Sequence, residues 1–86
     1  MVNVQKEALD ITRKVLQDSC GYTGDVVAED KMFVVWSCKT LQNWKAIVSG
    51  TEIKELIEVT YNGDTSETYV DVYEKKLNVA IKFSEE

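Results

Sequence analysis

Apolar residues recur at helical spacing along the first twenty positions. Val4, Ala8, Ile11 and Val15 follow one another at four, three and four residues, with Leu9, Thr12 and Leu16 alongside. Gln5, Lys6, Asp10, Arg13, Lys14 and Gln17 take the opposite side. Asn3 can cap the start, and Gly21 can adopt the left-handed conformation that ends a helix. Lys6 stands where a capping box has Glu or Gln.

Beyond the "CGYTGD" break the period changes to two. Val26 and Val27 read as a short edge strand. From Met32 to Lys39, alternation puts Met32, Val34, Trp36 and Cys38 on one face and Phe33 and Val35 on the other. A strand apolar on both sides is one buried on both sides. Asn43 to Ser49 alternates Trp44, Ala46 and Val48 with Lys45 and Ile47. Glu52 to Tyr61 sets Ile53, Ile57, Val59 and Tyr61 against Lys54, Glu58 and Thr60, with Glu55 and Leu56 breaking the alternation. "YNGD" is a hairpin signal, because Asn and Gly tolerate positive φ. Ser66 to Tyr73 follows, and Leu77, Val79, Ile81 and Phe83 then alternate with Asn78, Ala80 and Lys82.

The expected fold is therefore α+β: one domain over residues 1–86, with an N-terminal amphipathic helix packed on an antiparallel meander sheet of four to five strands. One helix covers one face. Phe33, Val35, Ile47, Leu56, Tyr69 and Tyr73 are left for the other, so either the sheet coils on itself or a second copy covers it. A homodimer is the expectation, through the strand around Phe33 to Val35 or the hairpin around Asn62.

Composition narrows the function classes. The chain has 86 residues, 44% hydrophobic, with fifteen acidic and ten basic residues for a net charge of −5. That balance opposes binding to a phosphate backbone, so no nucleic-acid partner is expected. The opening "MVNVQKEALD" does not read as a signal peptide, and no run approaches the roughly 20 apolar residues of a membrane span. Two cysteines, Cys20 and Cys38, make no disulfide framework, and the reducing cytoplasm is the expected compartment.

The stretch "VVWSCKTLQNWKAIV" sets Cys38 beside Lys39 in a chain without histidine. A nucleophilic thiolate needs a base or a positive field, and neighbours on a strand point to opposite faces. Cys38 reads first as a small apolar residue facing the same way as Trp36, and second as a reactive thiol. No catalytic, metal-binding or cofactor-binding set emerges, and no cofactor is expected. The spacing matches no zinc signature, and no phosphate-binding glycine loop is present. Trp36 and Trp44 would make an aromatic cross-strand pair if they face each other across "KTLQN". Exposed, such rings are binding anchors. Trp44, Gln42, Asn43, Tyr69 and Tyr73 are the candidate protein-binding residues.

The strings "VVWSCKTLQNWKA" and "EVTYNGDTSETYVDVYEKK" resemble a family of small uncharacterised proteins encoded by phages and prophages of Gram-positive bacteria. The resemblance covers Met32 to Asn78 and implies expression in an infected or lysogenic bacterial cytoplasm. It implies no catalytic residues. The leading expectation is a non-enzymatic module that binds a protein of host or phage. One alternative is an acidic DNA mimic using Glu52, Glu55, Glu58, Asp64, Glu67 and Asp71 to block a nuclease or DNA-binding factor. Another is a small enzyme or ligand-binding domain using Cys38 and Lys39.

Overall fold

The computed structural model describes residues 3–74 and 79–82. Helix α1 spans Val4–Ser19, and strands β1 (Met32–Thr40), β2 (Asn43–Gly50), β3 (Glu55–Asn62) and β4 (Glu67–Glu74) follow. They form one antiparallel sheet in the order β1-β2-β3-β4. The side chain of Asn3 accepts from the Lys6 amide at 3.1 Å and caps the helix. At the other end Gly21, with φ of 74°, lets the chain turn so that the Tyr22 amide reaches the Leu16 carbonyl at 3.2 Å.

The helix lies across β1 and β2 and reaches β3. Ala8, Thr12 and Leu16 are its buried residues. They meet Trp44, Ala46 and Val48 of β2 and Ile57 and Val59 of β3, with Met32 and Val27 closing the cluster. Each large apolar side chain removed from water contributes roughly 1.5–3 kcal/mol, so this layer carries most of the stability.

Three expectations change. Val26 and Val27 are not a strand. They close a helical turn, donating to the Thr23 carbonyl at 3.2 and 3.4 Å. Val27 is driven into the core, and Arg13 Nε holds its carbonyl at 2.8 Å. The alternation of β1 breaks at a β-bulge: Val34 pairs with Val48, but Trp36 pairs with Ile47, leaving Val35 as the extra residue. The bulge turns Trp36 and Cys38 to the face away from the helix and brings Ser37 and Lys39 to the helix side. Trp36 therefore does not face Trp44, which stacks on Tyr61 with ring centroids 5.9 Å apart. That stacked pair lies on the helix side at this end of the sheet, beside Ile11 and Thr68. The sheet has four strands, within the four to five expected; Val79 to Lys82 are exposed and belong to no strand, while Leu77, Asn78 and Phe83 lie outside the described residues.

The hairpins are also built differently from the simple reading. A two-residue turn joins β1 to β2, with Leu41 at φ of 55°. Between β3 and β4 the loop runs from Gly63 to Ser66, and the positive φ falls on Ser66, not on the Asn-Gly pair. Gly63 is needed for a close approach, because a Cβ there would run into the carbonyl oxygen and side chain of Gln42. The Gly63 amide donates to Asn43 Oδ1 at 2.8 Å, and Gln42 Nε2 donates to Asp64. The two hairpin tips are thus locked to each other.

Two stability effects follow. Gly63→Ala should cost about 1–3 kcal/mol by forcing these tips apart, read as a lower urea midpoint with an unchanged slope. The fully buried Thr12 hydroxyl has no hydrogen-bond partner among the described residues. Thr12→Val, which removes that hydroxyl at nearly constant volume, should raise stability by about 1 kcal/mol in the same measurement.

Candidate functional site

Pairing across the sheet sorts the face turned away from the helix into rows. Phe33 pairs with Ser49, and Leu56 with Tyr73, at one end. The next row is Trp36, Ile47, Glu58 and Asp71, and the one after it Cys38, Lys45, Thr60 and Tyr69. Thr40 and Asn43, with Asn62 and Glu67, end the face at the locked hairpin tips. Each side chain is presented by its strand's alternation, so the face is as rigid as the ladder beneath it.

This face is aromatic and uncovered. Phe33, Trp36, Leu56, Tyr69 and Tyr73 are each between 41% and 53% exposed. A cavity of about 530 Å³ opens at one end, lined by Ser49, Ile53, Lys54, Leu56 and Tyr73 among others. A second, of about 270 Å³, lies toward the other end and includes Trp36, Cys38, Lys45 and Thr60. Between them Glu58 and Asp71 are direct cross-strand neighbours, and Lys45 Nζ approaches Glu58 at 3.8 Å. So exposed an ion pair contributes about 0–1 kcal/mol. Glu58 first, and Asp71 after it, hold the Tyr73 phenol above its ordinary pKa. Contact with the Glu67 carboxylate does the same to Tyr69.

The residues singled out from sequence fall into separate places. Tyr69 and Tyr73 stand on the open face. Trp44 is 6% exposed and packs in the core under the helix. Gln42 and Asn43 hold the hairpin tips together. Cys38 is an exposed free thiol on the open face, and Lys39 turns to the other side, its Nζ donating to the Leu41 carbonyl at 2.5 Å. The lysine across the strand from Cys38 is Lys45. Cys20, also free and exposed, sits at the end of α1.

The acidic candidates are divided. Glu52 pairs with Lys31 at 2.6 Å, and Glu55, on the helix side, accepts from the Tyr22 phenol at 2.6 Å. Glu58, Glu67 and Asp71 occupy the open face. Among the described residues no group of three or more Cys, Asp or Glu is placed to hold a metal ion, and no helix is long and apolar enough to cross a membrane.

Sequence reasoning missed Trp36, the largest ring on the open face. Residues 32–36 read Met-Phe-Val-Val-Trp, so no polar residue marks the phase and a one-residue slip leaves no trace.

Over residues 5–83 the chain matches a family of unknown function, DUF6275, and it belongs to that family. No curated protein and no solved structure matches it.

The charge pattern has a direct optical test. Because carboxylates raise the phenol, Glu58→Gln with Asp71→Asn should move the Tyr73 ionisation to lower pH. An ultraviolet titration, with a Tyr73→Phe control to assign the transition, reads the shift.

Proposed function

For this member of DUF6275 we propose a non-enzymatic role as a protein-binding module whose contact surface is the open face of the sheet. The observation that supports it is the row structure itself. Five large apolar side chains share one face and lie half in water, while the helix packs on the other face against β1, β2 and β3. Contiguous exposed apolar surface on a small domain is characteristic of a contact site. Aromatic rings carried on a rigid ladder lose little freedom when covered, which makes Trp36, Tyr69 and Tyr73 the anchors. Cys38 lies within the same surface as a small apolar contact. A bacterial cytoplasm, with a phage or prophage origin, is part of this proposal and rests on the sequence resemblance.

A homodimer through the same face is the second reading. One match of rows supports it: two copies placed about a two-fold axis parallel to the strands, between β2 and β3, would set Phe33 of one copy on Tyr73 of the other.

The test is capture from a bacterial lysate with the wild-type chain and with a Trp36→Ser, Tyr73→Ser variant whose far-ultraviolet dichroism is unchanged. The wild type should retain a defined protein that the variant releases. An identical set of captured proteins with both would defeat the proposal. Light scattering at micromolar concentration separates the second reading, since a dimer would have twice the 9.8 kDa chain mass.

A further inference from the structure

The open face has a charge pattern as well as an apolar one, and the two together select a partner. Glu58 and Asp71 stand directly opposite each other on β3 and β4. Like charges in that position destabilise a sheet. Among the described residues Lys45 is the one cation in the rows from Phe33 to Tyr69, and it reaches only Glu58, at 3.8 Å. Tyr69 and Tyr73 flank Asp71 two residues away on β4, and their ring faces also attract cations; Trp36 lies in the same row beyond Ile47. Concavities lie on either side of the pair, one beside Leu56 and Tyr73 that Lys54, Glu55 and Glu74 also line, and a more apolar one beside Trp36 and Thr60.

We infer that the open face docks the apolar side of a basic amphipathic helix from another protein, with a Lys or Arg set against Glu58 and Asp71 between two apolar anchors. The inference rests on the protein-binding reading above and names the chemistry of the partner. The spacing agrees: Leu56 to Thr60 is four strand residues, about 13 Å, and positions eight apart on a helix are separated by about 12 Å. The other side of the same sheet already carries a helix, the 16-residue α1. A second copy of this chain fits the charges less well. The two-fold arrangement that joins Phe33 to Tyr73 also presses Glu58 onto Ile47 and Asp71 onto Trp36, covering two carboxylates with apolar groups. An anionic partner would meet the carboxylates directly.

Fluorescence anisotropy with a labelled synthetic peptide of about five helical turns tests this, the peptide carrying two leucines eight positions apart and an arginine midway. A matched peptide has glutamate in place of that arginine. The arginine peptide should bind the wild-type chain at least about tenfold more tightly than the glutamate peptide. Glu58→Gln with Asp71→Asn should remove that preference, Trp36→Ser should abolish binding, and Glu29→Gln with Asp30→Asn, away from the face, should change neither. Equal binding of both peptides, lost in Trp36→Ser, would overturn the basic partner while leaving the contact face intact. A preference that survives Glu58→Gln with Asp71→Asn, or that falls with Glu29→Gln and Asp30→Asn, would overturn the assigned site. Binding of neither peptide, together with a dimer that Trp36→Ser dissociates, would make a second copy the occupant. Binding of neither peptide to a monomer would overturn this inference and count against the contact face.

Discussion

A sheet has two faces, and this chain has one helix to cover them. Ala8, Thr12 and Leu16 close α1 onto the inward residues of β1, β2 and β3, and the core is complete at that layer. Everything alternating to the far side must then meet water or something else. The uncovered face is thus a direct consequence of building the two-layer fold from a single helix.

Within that constraint, one residue redistributes the aromatic rings. The bulge at Val35 advances the phase of β1, so the strand begins with Met32 and Val34 in the core and continues with Trp36 and Cys38 facing out. Trp44 and Tyr61 stack on the helix side, and Trp36 faces away from them. The two tryptophans, eight residues apart, are left with opposite roles. Trp44 is 6% exposed and belongs to stability, while Trp36 is 49% exposed and belongs to the surface.

The hairpin tips explain strings that stand out in the sequence without serving as contact rings. Gln42 and Asn43 from one turn hold Gly63 and Asp64 from the other. Their polar side chains replace a longer loop by fixing two short ones together, which keeps the strands beneath in register. The open face borders this lock, and its order depends on it.

Much of the fold was legible in local pattern. The 3.6 period with Asn3 and Gly21 at its ends specified α1, and the period of two specified the strands, their meander order and an exposed set that included Phe33, Leu56, Tyr69 and Tyr73. These features depend on neighbours a few residues away, which a sequence displays directly. The phase of Trp36, the turn at Val26 and Val27, the Trp44–Tyr61 stack and the close approach at Gly63 depend on residues distant along the chain. Nothing in Met-Phe-Val-Val-Trp marks where the alternation slips, because every residue there is apolar; the slip is expressed only in the pairing of β1 with β2. The sequence determined which residues are available to a surface; tertiary structure decided which of them the surface receives, because the register between paired strands sets the face each side chain takes and a one-residue slip reverses it.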